Sequence, residues 1–175
     1  MGNQQPSPLG KAQRLMSINQ QILYLIVMTN DEISMIIALT LGDGHITPEG
    51  RYCVNHCESQ KEYIEYKKQI LDKIIGGKPI TIHKTKNVVK GKEYHGYTIR
   101  KCNKKKLQPI RELLYTQNGH KKFTRDILDK LTLEGIAIWY MDDGSLSAEK
   151  DSNGKIHSYK LGIATYISKE ENEVI

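Results

Sequence analysis

The chain has 175 residues, 38% of them hydrophobic and 26% charged, with a formal net charge of +6, which suits one compact domain or two small halves sharing an interface. Its longest apolar run, Ile22 to Met28, falls far short of the roughly 20 residues that a membrane span needs. Cys53, Cys57 and Cys102 are too few and odd in number for a disulfide framework, and the N-terminus lacks a basic-then-apolar signal pattern, so an intracellular protein with no membrane partner is expected.

Residues 1–28 read as a polar, Pro- and Gly-containing arm followed by a short helix from Leu15 to Met28. "TNDE" then offers a capping box, Thr29 with Glu32, which places a helix start near Asp31. That helix carries Ile33, Ile36, Ile37, Leu39 and Leu41, apolar nearly all round, and stops at Gly44. "RYCVNHC" (Arg51 to Cys57) alternates as a strand. Zinc ligation by Cys53, His56 and Cys57 is disfavoured, because no second Cys/His pair stands at finger-like spacing. Tyr63, Ile64, Lys67, Ile70, Leu71 and Ile74 share a helical stripe that Gly76 and Gly77 close. "PITIHKTKN" and "EYHGYTIRK" flank "VVKGK" as two antiparallel strands and a loop. Two helices follow, "KKLQPIRELLYT" and "TRDILDKL", and then a second apolar helix, "LTLEGIAIWYMDDG", with Thr132 as its N-cap. "SYKLGIATY" is again a strand, and Ser168 with Glu171 forms a further capping box. The plan therefore repeats, with 29–128 as a first half and 129–175 as a second half that lacks its own basic hairpin.

Basicity is concentrated rather than spread. From Tyr66 to Lys106 there are 13 bases against 2 acids, whereas the remainder carries 13 bases and 18 acids, a bias that points to a polyanionic partner. The two apolar helices end in "LGDGHI" and "MDDGSL", which puts acids where the helix dipole is already negative, a cost of roughly 0.3–1 kcal/mol for each exposed carboxylate. Small residues at Ala38, Gly42, Gly135 and Ala137 would let the two helix backbones approach and carry both carboxylates to one end of a packed pair. Facing carboxylates repel unless a cation lies between them, and hard oxygen ligands suit Mg²⁺, or Mn²⁺.

"IIALTLGDG" (Ile36 to Gly44) and "IAIWYMDDG" (Ile136 to Gly144) resemble the two signature helices of LAGLIDADG homing endonucleases of the double-motif branch. The resemblance runs from about Asp31 to the C-terminus and is most specific in "KKFTRDILDKLTLEGIAIWYMDDGSL". It implies an α+β fold of two αββαββα halves about a pseudo-twofold axis, the second half incomplete, with sheets that enter the DNA major groove. It also implies that Asp43 and Asp143 bind divalent metal, that the main-chain carbonyls of Gly42 and Asp142 complete the coordination, and that Lys122, with Lys121 as the alternative, is the active-site lysine.

Alternation along the strands nominates Arg51 and Asn55, over Tyr52 and His56, together with Thr81, His83, Thr85, Tyr94, Thr98 and Arg100, as base-facing. Lys84, Lys86, Lys90, Lys92 and Lys101 are assigned to phosphate. The function expected is site-specific cleavage of both strands of duplex DNA by a protein encoded in a mobile intron, an intein or a free-standing gene of a bacterial, phage or organellar host. The alternatives are an intron-RNA maturase of the same fold and a non-catalytic DNA-binding protein, and a second polypeptide completing the fold is a further expected partner.

Overall fold

The structure is a computed structural model and describes residues 28–165. The elements in order are α1 (Asn30–Leu41), β1 (His45–Ile46), β2 (Arg51–Cys57), a 3-10 turn at Glu58–Gln60, α2 (Lys61–Ile75), β3 (His83–Val89), β4 (Lys92–Cys102), α3 (Lys104–Leu114), α4 (Arg125–Leu128), α5 (Leu133–Asp143), β5 (Gly144–Lys150) and β6 (Ile156–Ile163). The expected helix from Leu15 falls outside the described residues except for Met28, which is buried. The capping box at Ser168 and Glu171 also lies outside them.

Helix α1 starts where its caps dictate. The Thr29 hydroxyl accepts the Glu32 N–H at 3.2 Å and the Glu32 carboxylate accepts the Thr29 N–H at 2.8 Å, satisfying two donors that a helix start leaves orphaned. Ile36, Ile37 and Leu39 are wholly buried, each stabilising the fold by roughly 1.5–3 kcal/mol. Helix α5 starts on Thr132, whose hydroxyl accepts the Gly135 N–H at 3.3 Å.

The two helices run parallel in close contact. Ser34 meets Thr132 and Gly135 at their N-terminal ends, and Gly42 meets Asp142 at their C-terminal ends. Glycine lets the backbones approach at both crossings. A Cβ at Gly135 would lie 2.2 Å from Ser34 Oγ, and one at Gly42 would lie 2.2 Å from Asp142 Oδ2. The expectation of burial all round holds for α1 but not for α5: Gly135, Ile138 and Trp139 are buried, whereas Leu133, Ile136 and Met141 are 82%, 42% and 53% exposed. The reason is packing. Helix α1 is enclosed by α2, α3, β1 and α5, while α5 rests on α1, β5 and β6.

The main sheet is antiparallel with strand order β1-β2-β4-β3. Tyr52, Val54 and His56 of β2 stand opposite Lys101, Ile99 and Tyr97 of β4, and all six are buried on the face that packs against the helices. The other face is open. The β3–β4 turn is tighter than "VVKGK" suggested, because Val88 and Val89 extend β3 and only Lys90 and Gly91 turn, at φ 50° and 76°, the two-residue arrangement with both φ positive that matches strand twist. Strand β5 was not foreseen; "GSLSAEK" lacks alternation and is exposed along nearly its whole length. Among the described residues no helix is long and apolar enough to cross a membrane.

Candidate active site and nucleic-acid interface

Neither α1 nor α5 carries a base in its last turn. Other elements supply the missing positive charge. Lys121, between α3 and α4, donates from Nζ to the carbonyls of Gly42 at 2.7 Å and Leu41 at 3.2 Å, covering orphan acceptors at the negative end of α1. The Leu39 carbonyl accepts both the Gly44 N–H at 3.0 Å and the Tyr52 hydroxyl at 3.1 Å. Gly44 makes this possible, since a Cβ there would lie 2.1 Å from the Tyr52 hydroxyl. From α2, the wholly buried Lys67 brings Nζ to 2.6 Å from Asp142 Oδ1.

Asp142 enters the site through its side chain rather than only its main chain. Its buried carboxylate accepts the Tyr63 hydroxyl at 2.6 Å on Oδ1 and the Asp43 N–H at 3.0 Å on Oδ2. It therefore braces the end of α5 against the end of α1. Asp43 itself is 42% exposed at its side chain, with His56 Nδ1 3.7 Å and Lys67 Nζ 4.0 Å from Oδ2. Asp143 accepts Trp139 Nε1–H at 3.2 Å. Burial raises its pKa, Asp43 and Asp142 push in the same direction, and the Trp139 hydrogen bond and Lys121 oppose them. Burial lowers the pKa of Lys121 against the pull of Asp143, Asp43 and Asp142.

This donor set fits a hard divalent cation. Asp43 and Asp143 offer carboxylate oxygens at the two helix ends, and the Asp43 charge adds to the burial that disfavours ionised Asp143, a penalty that a nearby cation would reverse. The Gly42 carbonyl, expected as a ligand, here receives Lys121.

The structure points Lys121 and Lys122 in different directions. The Lys122 ammonium turns to the Glu112 carbonyl at 3.3 Å on the exposed side, while Lys121 takes the position at the helix ends. The cause is strand-like alternation: the bridge between Tyr115 and Lys121 and the bond from Lys122 N–H to Leu114 O at 2.7 Å fix the backbone, so adjacent side chains diverge.

The open face of the sheet presents Arg51, Asn55, His83, Tyr94 and Arg100, all exposed, and His45 joins them from β1. Thr81 is exposed just ahead of β3, and Thr85 is half-buried. Thr98 is on this face by alternation but is buried, its hydroxyl donating to Val54 O at 3.2 Å. Lys84 and Lys86 point the other way, and Lys86 pairs with Glu93 at 2.6 Å. Lys101 is corrected outright: its register opposite Tyr52 turns it into the helix-facing side, where it is bonded to the Lys78 carbonyl and lies 3.5 Å from Asp72.

Tyr63, Lys67 and His56 join the site in the structure without a motif to mark them in the sequence. The one available signal was Lys67 itself, a base set into the buried stripe of α2 one turn from Tyr63 and from Leu71.

The site thus consists of acids at the ends of two parallel, closely packed helices beside a sheet with one polar face. Residues 33–175 match the LAGLIDADG DNA endonuclease family, and the chain belongs to that family. It is 25% identical over 127 residues to Protein RecA of Mycobacterium shimoidei, a match covering 69% of this chain and 27% of that one. Against Protein RecA of Mycolicibacterium flavescens it is 25% identical over 126 residues with the same coverage. The chain thus spans about a quarter of the length of these curated relatives. Among solved structures, the homing endonuclease I-WcaI bound to its DNA recognition sequence superposes with a TM-score of 0.62 at 23% identity, covering 99% of this chain and 73% of that one. The fold is that of the LAGLIDADG homing endonucleases.

Proposed function

We propose that the protein is a site-specific, divalent-metal-dependent endonuclease that hydrolyses phosphodiesters in both strands of duplex DNA. The observation that carries this is the placing of Asp43 and Asp143 at the C-terminal ends of two parallel helices, with Lys121 against the last carbonyls of α1. A divalent ion held by these carboxylates would activate a water molecule and offset charge on the phosphate. The chain's own groups do the rest. Trp139 orients the Asp143 carboxylate, Asp142 fixes one helix end against the other, and the Lys121 ammonium stands ready to stabilise charge on a phosphate oxygen. Arg51, Asn55, His83, Tyr94 and Arg100 supply the groups that would read base edges in the major groove. A stretch making up about a quarter of the matched RecA chains is consistent with a nuclease module carried within a host protein.

The test is cleavage of a plasmid library of randomised duplex targets with Mg²⁺. Selective linearisation, lost in both Asp43→Asn and Asp143→Asn with DNA binding retained, is the result expected. Binding without cleavage by the unaltered chain would instead favour the non-catalytic alternative, and cleavage surviving in the double variant would remove these acids from the mechanism.

A further inference from the structure

Asp43, His56 and Asp142 offer ligand atoms that all lie within 4.8 Å of one another. Ligands held about 2.0–2.2 Å from one ion stand at most about 4.4 Å apart, so the three are close to coordination spacing, and the 3.7 Å from His56 Nδ1 to Asp43 Oδ2 is inside it. Ligand chemistry alone would make this corner a site for a borderline transition ion. A cation is already there. The Lys67 ammonium lies 2.6 Å from Asp142 Oδ1, 4.0 Å from Asp43 Oδ2 and 4.5 Å from the centre of the Tyr63 ring, on a side chain with no exposed surface. The contact with Asp142 is a close pairing of opposite charges at 2.6 Å.

We propose that Lys67 is a resident cation of the site: its ammonium takes the place of a divalent ion among Asp43, His56 and Asp142, closes that corner to metal, and leaves metal binding to the exposed side of Asp43 and to Asp143. This rests on the reading of Asp43 as a metal ligand. Lys67 is then a positioning residue, acting through Asp142, whose other oxygen holds the Asp43 N–H. His56 Nδ1, 3.7 Å from Asp43 Oδ2, is bonded to Gln60 Oε1 at 3.1 Å, so the lysine and this bond, and not distance, keep it from the metal.

The test reads ion occupancy without DNA. Lys67→Met keeps side-chain length and removes the charge, and in calorimetric titration it should bind an additional Co²⁺ or Zn²⁺ ion that the unaltered chain does not. The ¹⁵N resonances of the His56 imidazole should move with Zn²⁺ in Lys67→Met and stay in place in the unaltered chain. Adding His56→Gln to Lys67→Met should remove the extra ion, and Lys67→Arg, which retains a cation, should not acquire it. A His56 shift with Zn²⁺ while Lys67 is intact would overturn the proposal, as would equal stoichiometry in Lys67→Met and the unaltered chain. Should Lys67→Met fold only when Co²⁺ is present, the proposal is supported, because the ion then replaces the missing ammonium. Identical titrations of the unaltered chain and Asp43→Asn would defeat the nuclease reading at Asp43 while leaving the Lys67 comparison decisive on its own.

Discussion

A local backbone bridge decides which of two neighbouring lysines lies against the end of α1. Tyr115 pairs with Lys121, and the next residue is locked to Leu114 O, so Lys121→Met should lower DNA cleavage roughly 10²–10³-fold, the loss typical of one well-placed charge-stabilising donor. Lys122→Met should leave it near the unaltered rate, and single-turnover kinetics on the same target would separate the two. The residue pair could not be resolved from sequence, because "KK" is symmetric in composition and only the bridge breaks the tie. His56 provides a second measurable effect. Burial depresses its pKa below the ordinary 6.5, Lys67 adds to that, and Gln60, Asp43 and Asp142 oppose it. The unfolded chain therefore takes up its proton first, so the stability gained from a neutral His56 is complete above pH 6.5 and is lost as pH falls from there toward the folded value. His45 is shifted the same way by burial. Urea midpoints measured from pH 7.5 to about 5 should fall on acidification, and His56→Gln should flatten that fall; a slope unchanged in His56→Gln and abolished in His45→Gln would assign the effect to the wrong histidine here.

Capped helix starts and strand β2 were legible in the sequence, whereas the end of α1 and the ends of the other strands were not, for a physical reason. Thr29 with Glu32, and Thr132 ahead of Gly135, signal through contacts three residues apart, so the sequence window contains both partners. Strand β5 is defined by its pairing with β6, from Gly144 opposite Ile163 to Lys150 opposite Ile156, and these partners stand well beyond the three-residue reach of a helix cap. The same distinction explains the site: Asp43 and Asp143 are read from their own motifs, whereas Lys67 meets Asp142 only once α2 has folded over the helix pair. Small residues predicted the helix approach correctly at Gly42 and Gly135, but Ala137 is exposed and takes no part in it. Gly135→Ala should cost about 1–3 kcal/mol by overpacking, since the added carbon meets Ser34 Oγ at 2.2 Å. Ser34→Ala removes that oxygen and, with it, its contacts to Thr132. The double variant should consequently be more stable than the sum of the single losses, with a coupling of roughly 0.5–3 kcal/mol in urea unfolding. Strict additivity would show that the two helices do not meet at this point.

Charge at the scale of the whole molecule gave a basic segment, 13 bases to 2 acids between Tyr66 and Lys106, but not the direction in which each base points. The sheet sorts them. Lys67 and Lys101 are buried on the helix side, Lys68 is 2.8 Å from Asp72, and Lys86 is 2.6 Å from Glu93, whereas Arg100 and Lys92 occupy alternating positions of β4 on the open face. Only bases that exchange condensed counterions for phosphate contribute to the salt dependence of binding, about 0.9 in the slope of log K against log salt for each phosphate neutralised. The basic count therefore overstates the slope. Lys92→Ala should reduce it by about 0.9 with little change in sequence preference. Arg100→Ala should reduce affinity most for one base pair of the target, a loss of roughly 1–3 kcal/mol if its guanidinium reads a guanine edge. Lys101→Ala should leave the slope unaltered and lower stability instead, because its ammonium is committed to the Lys78 carbonyl and to Asp72. Fluorescence anisotropy with a fixed duplex between 50 and 300 mM salt, about the range in which such slopes are linear, measures all three. A slope that drops for Lys101→Ala but not for Lys92→Ala would mean that DNA approaches the helix-covered side, and the assignment of the open face as the reading surface would have to be reversed.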